Sequence, residues 1–219
     1  MKTLAMVLIS TALSAQVADK ANERYRTLEG RQGMLGNLGA ADRAERIKGA
    51  TIINALKLKP GMAVADLGTG AGAMLPLLSA AVTPTGRVFA QDIFPDFLER
   101  AKAQAQSLPN ITFILGTDRD AKLPAASTDV ALTVDAYHHY DYPAQMLASI
   151  RKGLKPNGRF VIVDYFKREG AMTGANAVEH IRLDQADVIR EVEANGFRLL
   201  ETIEHDPGKQ YILVFTPKS

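Results

Sequence analysis

Apolar and polar positions along this chain switch repeatedly between a helical and a strand-like period, and the switches mark its elements. Residues 19–29 and 42–57 read as helices; the second sets Ile47, Ile52, Ile53 and Leu56 at helical spacing, and Lys59-Pro60-Gly61 ends it. Residues 62–67 form a short apolar run, read as a buried strand, that leads into Gly68-Thr69-Gly70-Ala71-Gly72 and a helix over 73–81. A strand at 87–91 and a helix at 95–106 follow, then a strand at 111–115 and a long connection carrying Asp118, Asp120 and Pro124. Next come a strand at 129–134, a helix at 143–153, the turn signal Lys155-Pro156-Asn157-Gly158 and a strand at 159–164. A linker, a helix at 184–194 and strands near 197–204 and 210–216 complete the pattern.

Strands separated by helices imply parallel pairing with right-handed crossovers, because a strand re-entering a sheet in the same direction needs a connection long enough to cross it. Between the last two strands lies only His205-Asp206-Pro207-Gly208-Lys209, too short for a crossover, so an antiparallel hairpin is expected. The predicted architecture is α/β: a doubly wound, mostly parallel seven-stranded sheet with that hairpin at its C-terminal edge. A single domain over 58–219, behind an N-terminal helical extension at 16–57, accounts for the pattern.

Composition narrows the function classes. With 219 residues, 47% hydrophobic and 23% charged, the chain can bury one sizeable core, which excludes disorder and fibrous repeats. Its 26 basic and 24 acidic residues are scattered and leave a formal charge of +2, so no basic tract supports nucleic-acid binding. Cysteine is absent, which removes disulfides, thiolate metal sites and cysteine nucleophiles together. The start of the chain differs from the rest. Lys2 precedes the uncharged stretch Thr3 to Ala18, apolar from Leu4 to Leu13, with small residues in Ala12-Leu13-Ser14-Ala15. Too short to span a bilayer, this stretch matches a secretory signal peptide over residues 1–15, cleaved after Ser14 or Ala15, and predicts a periplasmic or secreted protein. The competing reading is a cytoplasmic protein whose first amphipathic helix packs on the domain. No later apolar run is long enough for a membrane span.

The chemistry starts at Val64-Ala65-Asp66-Leu67-Gly68-Thr69-Gly70-Ala71-Gly72. A strand that turns straight into a helix needs glycine where the backbone takes unusual angles or where a ligand comes close, and such loops stand at the strand ends where open α/β sheets bind ligands. Asp92, twenty residues after Gly72 at the end of the next strand, suits hydrogen bonds from both ribose hydroxyls of a nucleoside. Because Gly68-x-Gly70-x-x-Ala73 also satisfies the dinucleotide pattern, NAD(P) competes with S-adenosylmethionine. Asp66 favours the latter: a carboxylate two residues before the first glycine suits an ammonium group, where dinucleotide folds keep an apolar residue. The C-terminal hairpin points the same way.

Val64–Gly72, Gln91-Asp92-Ile93, Leu123-Pro124 before Thr128-Asp129-Val130, Tyr137-His138-His139 and Leu154-Lys155-Pro156-Asn157-Gly158-Arg159 together resemble the motifs of class I S-adenosylmethionine-dependent methyltransferases. The likeness to this Rossmann-like family covers about residues 40–216 and is nearest to small bacterial members of a type 11-like subgroup, often with signal peptides. It speaks to cofactor and fold, not to substrate. The resemblance implies that Asp66, Gly68, Thr69, Gly70 and Gly72 line the methionine and ribose part of the site, and that Asp92 holds the ribose diol with Ile93 against the adenine. It further implies a carboxylate near the adenine amino group, Asp118 or else Asp120, in a stretch that departs from the family pattern by about a residue. Asp135 is expected at the amino-acid moiety.

On the acceptor side the expected residues are Tyr137, His138, His139 and Tyr140 after the fourth strand, Asp164 and Tyr165 after the fifth, and His180 and Arg182 as a lid from the linker. For a hydroxyl acceptor His138 or His139 is the general base, oriented by Asp164; a thiol or another soft anion needs none. The expected reaction is in-line transfer of methyl to a small molecule, with positioning and exclusion of water supplying most of the catalysis. Set against these roles are a histidine that only bonds to backbone and an Arg182 in a surface ion pair. Three of the four histidines fall here, yet adjacent side chains usually point apart, so no metal is expected. Arsenic methylation is disfavoured by the missing cysteines. Two rival readings stand: an NAD(P)-dependent oxidoreductase, for which no Tyr-x-x-x-Lys pair appears, and a catalytically silent cofactor-binding protein. The sequence sets no oligomeric state.

Overall fold

The computed structural model describes residues 16–173 and 175–218; the signal-peptide reading of 1–15 lies outside the described residues. The apolar runs form the strands β1 (Ala63–Leu67), β2 (Arg87–Asp92), β3 (Ile111–Leu115), β4 (Thr128–Val134), β5 (Leu154–Tyr165), β6 (Phe197–Asp206) and β7 (Gln210–Pro217). They make one seven-stranded sheet in the order β3-β2-β1-β4-β5-β7-β6. β1 to β5 pair in parallel, and β7 runs antiparallel to both β5 and β6, closing the expected hairpin edge.

Successive side chains of a strand point to opposite faces, so each central strand feeds two cores. Val64, Val88, Val130 and Val161 pack with Ile52 and Leu56 of α4 (Gly49–Leu56) and with Leu75 and Leu78 of α5 (Leu75–Val82), beside Ala101 of α6 (Pro95–Gln104). On the other face Ala65, Ala131, Phe160 and Ile162 meet Leu147 and Ile150 of α7 (Pro143–Gly153) and Val188 and Val192 of α9 (Gln185–Ala194). Each such leucine or isoleucine contributes about 1.5–3 kcal/mol on full burial, so these two layers carry the fold. α6 and α7 begin at Pro95 and Pro143, where a fixed φ and a missing N–H suit the first helical position.

Three departures from the sequence expectation have local causes. The helix expected over 19–29 is instead α1 (Asp19–Asn22), a 3-10 turn over Glu23–Arg26 and a fresh helix, α2 (Leu28–Leu38), capped by the Thr27 hydroxyl accepting from Gly30 N at 3.1 Å. The helix expected over 42–57 divides into α3 (Arg43–Arg46) and α4 at Lys48, whose φ is 52°, where the Ile47 carbonyl accepts from His205 Nε2 at 2.9 Å. At Lys155–Gly158 the strand continues rather than turning. The register jumps from Thr128↔Leu154 to Val130↔Arg159, so the extra residues, Pro156 among them, bulge out of the ladder. The linker adds one short helix, α8 (Ala177–His180).

Candidate active site

The carboxyl ends of β1, β2 and β4 open onto a cavity of about 350 Å³. β1 delivers Asp66 and then the glycine loop, where Gly68 and Gly70 take φ of 74° and 56° and line the cavity with bare backbone. A Cβ on Gly68 would stand 2.9 Å from the Ala136 side chain, so the loop and the β4 end approach as closely as only glycine permits. Gly68 N and Thr69 N both donate to the Gln91 carbonyl at 2.9 Å, tying the loop to β2. The Thr69 hydroxyl donates to Asp66 Oδ2 at 2.7 Å.

Asp92 ends β2 with one oxygen accepting from Gly70 N at 2.9 Å and the other from Phe94 N at 3.0 Å. Burial pushes both Asp66 and Asp92 up to about 6, against the pull of those hydrogen bonds. Beside Asp92, Gln91 lines the cavity, and its amide nitrogen is buried without a partner. Ile93 and Asp118 complete this end of the wall, whereas Asp120 turns back to accept from Lys122 N at 2.7 Å within its own loop. A nucleoside fits this set: a carboxylate for the diol, an apolar side chain for the ring, and a second carboxylate.

At the β4 end, Asp135 sits at φ 52°, a left-handed conformation rare outside glycine. Arg43 Nη2 reaches one carboxylate oxygen at 2.6 Å and Gln210 Nε2 donates to the other at 2.6 Å. Burial still pushes the Asp135 carboxyl upward against the attraction of Arg43. The Tyr165 hydroxyl stands 3.5 Å from Asp135, behind the wall, and Tyr140 lines the cavity itself.

The 3-10 turn Tyr137–His139 presents the histidine pair. Asp164, at 1% exposure, holds His138 twice: Oδ1 lies 2.7 Å from Nδ1, and Oδ2 accepts from the backbone N at 3.1 Å. His139 faces the cavity, and its Nδ1 is 2.8 Å from Asn22 Oδ1. His180 of α8 closes on both, with ring centroids 5.1 Å from His138 and 5.4 Å from His139. The two neighbouring rings are only 4.1 Å apart, contrary to the expectation that adjacent histidines diverge; the tight turn brings them together. Burial, then the neighbouring imidazoles, holds His139 well below the ordinary histidine range, and burial holds His180 down at about 4.

Besides Tyr165, two residues expected at the acceptor lie elsewhere. Tyr137 is buried in the core and donates from its hydroxyl to Glu191 Oε1 at 2.6 Å, and Arg182 pairs with the same carboxylate at 2.9 Å and 2.5 Å. This Tyr137–Glu191–Arg182 cluster fastens the linker to α9 and is not part of the cavity wall.

Sequence reasoning missed the roof. Asn22, Tyr25, Arg31 and Leu38 from the N-terminal extension line the cavity opposite the glycine loop. Tyr25 stacks on Phe94 at 6.0 Å and meets the His139 ring edge-on at 4.8 Å; Arg31 Nε holds Asp96 at 2.9 Å and 3.1 Å and lies over the Phe94 ring. Val17 N and Ala18 N donate to Asp141, pinning the start of the segment beside β4. Polar and aromatic residues without periodicity carry these contacts, which leaves little signal in the sequence.

Residues 65–162 match a family model described as a methyltransferase domain. A curated relative, an uncharacterised 37.1 kDa protein of transposon Tn4556 in Streptomyces fradiae, is 36% identical over 58% of this chain and 37% of its own length. The demethylmenaquinone methyltransferase of Symbiobacterium thermophilum is 30% identical over 50% of this chain and 45% of that protein. The chain thus spans less than half the length of either. Matches at 27–28% identity extend to tRNA, ribosomal RNA and protein-L-isoaspartate methyltransferases. Among solved structures, a SAM-dependent methyltransferase from Aquifex aeolicus superposes with a TM-score of 0.76 at 25% identity, over 84% of this chain and 96% of that one. Over residues 65–162 this chain carries a methyltransferase domain, and its fold is the one seen in a SAM-dependent methyltransferase.

Proposed function

We propose that this protein transfers the methyl group of S-adenosylmethionine to a small-molecule acceptor bound at the His139 end of the cavity. The observation that carries the reading is one continuous, partly open cavity of about 350 Å³ that joins the nucleoside wall of Gly68, Gly70 and Asp92 to the acceptor wall of Asp135, His139 and Tyr140. Its roof comes from the chain's own N-terminal segment. That roof narrows the access needed by a base within an RNA strand or a residue within a protein more than the access needed by a small acceptor.

When bound, the cofactor supplies an activated methyl on a sulfonium. The protein's residues then have positioning work to do. Asp92 takes the ribose hydroxyls, Asp66 with Thr69 receives the ammonium group directly or through water, and the glycine loop lets the cofactor lie on backbone. His139 is held neutral at the acceptor wall and so has a lone pair for a hydroxyl proton; Asp164 keeps His138 in one orientation beside it. Tyr25 and Phe94 keep water off the reacting end.

Calorimetric titration with S-adenosylmethionine, S-adenosylhomocysteine and NAD tests the cofactor assignment. Binding of NAD but of neither sulfur compound would overturn it. A screen of thiol, phenol and quinol acceptors beside unmodified tRNA and ribosomal RNA, read by S-adenosylhomocysteine release, tests the acceptor class. Turnover confined to the RNA arms would sink the small-molecule reading.

A further inference from the structure

We propose that His138, His139 and His180 form a binding site for a divalent transition cation of the zinc class, on the acceptor side of the cavity. One ring nitrogen from each of the three lies within 4.8 Å of those of the other two. Three imidazoles around one such ion stand about 2.0–2.1 Å from it, which puts their nitrogens about 3.3 Å apart in a tetrahedral set, so small side-chain rotations complete the site.

The orientation of the rings supports the assignment more strongly than proximity does. Asp164 accepts at His138 Nδ1, which places the proton there and leaves Nε2 as the lone-pair nitrogen. Asn22 does the same for His139. Its amide nitrogen is spent on the His139 carbonyl at 3.0 Å, so its oxygen is the atom 2.8 Å from Nδ1, and Nε2 is again the free lone pair. A carboxylate or amide oxygen behind the far nitrogen is what fixes tautomer and direction in histidine metal sites. His180 comes from a separate element, α8, whose Asn176 cap accepts from Val178 N at 3.1 Å. The fourth histidine, His205, is occupied with the Ile47 carbonyl, so every imidazole not spent on the fold converges here.

Three protein ligands leave a cation at least one open position. His139 lines the cavity, so that position faces the acceptor space. Resting on the methyl-transfer reading, the cation then replaces His139 as the means of deprotonating the acceptor, and the acceptor class follows: a thiol, phenol or catechol that binds the cation as its anion, releasing its proton to solvent, and then attacks the methyl carbon while the sulfur–methyl bond breaks. The cation site itself does not depend on that reading.

The test is titration of zinc chloride, and of cobalt chloride with its visible absorption as readout, into the untagged full-length chain. One equivalent should bind, raise the melting temperature, and give the cobalt form a visible band. His180→Ala should weaken binding at least about tenfold while the metal-free protein still melts cooperatively, and Asp164→Asn should weaken it about 10–100-fold through the ring it orients. His180→Gln serves the same comparison if the alanine variant does not fold. Failure of the full chain to hold a stoichiometric ion, or His180 variants that bind as well as the parent, overturns the site. Titration with S-adenosylmethionine is run in parallel: zinc binding without cofactor binding removes the methyl-transfer reading and keeps the cation site, and the reverse result removes the site alone.

Discussion

Asp92 is the residue on which the nucleoside assignment turns. Both of its oxygens already hold backbone N–H groups, at Gly70 and Phe94, so the carboxylate shapes the glycine loop as well as offering lone pairs to a ribose. Asp92→Ala should weaken S-adenosylmethionine binding more than about tenfold, in line with the 1.5–3 kcal/mol of a hydrogen bond to a charged group. Unchanged affinity in calorimetry would refute the diol contact. A pH dependence follows from the same burial. In the free protein Asp66 and Asp92 hold their protons up to about pH 6, whereas the ribose hydroxyls and the ammonium group require the ionised forms. Binding below that pH must expel protons, so affinity should be level above pH 7 and fall steadily from 6 toward 5. Asp92→Asn should flatten its share of the slope; a profile that does not change between pH 7 and 5 contradicts the assignment. Asp66, Asp92 and the glycines were legible because their chemistry lies within one loop and one strand end. The convergence of His180 on His138 was not, because it depends on how the linker folds back.

At the scale of elements, the expected N-terminal extension over 16–57 divides: α4 joins the core, while residues 16–41 behave as a cover. α2 buries none of its residues, and neither Ala18 nor Ala21, though buried, belongs to the two main clusters. Its hold on the domain is polar and aromatic, and Arg31 is the main fastener, with its guanidinium on Asp96 and over Phe94. Arg31→Ala should therefore raise the cofactor dissociation rate about three- to tenfold in stopped-flow measurements, while the melting temperature moves by no more than a few degrees. A large loss of stability with no change in release would assign Arg31 to the scaffold instead. The sequence hid this element for a physical reason. Leu28–Leu38 carries Gly30, Gly33 and Gly36 and no apolar stripe, so neither propensity nor periodicity announces a helix; the Thr27 cap and contacts across the cavity make one. The break at Lys48 was equally invisible, since it depends on His205, which is 158 positions from the Ile47 carbonyl it binds.

Across the whole molecule, the sheet was the readable part, because strands buried on both faces appear as short apolar runs and a connection as brief as His205–Lys209 admits only a hairpin. The division of labour between sheet and cover was not readable, yet it makes the strongest claim about how the molecule works: one set of residues folds and another encloses. Ile47, Ile52 and Leu56 lie in the core, and Arg43 holds Asp135, so the scaffold begins near Asp42. A variant beginning at Asp42 should keep its circular dichroism spectrum and a cooperative melt. It should lose S-adenosylmethionine affinity by at least about tenfold, because Asn22, Tyr25, Arg31 and Leu38 leave the cavity wall and water enters. It should also accept bulkier methyl acceptors than the parent. Full affinity in this variant would show that the roof is no part of the site, and loss of the cooperative melt would show that the extension belongs to the fold; either outcome removes the roofed cavity as the basis for a small-molecule acceptor.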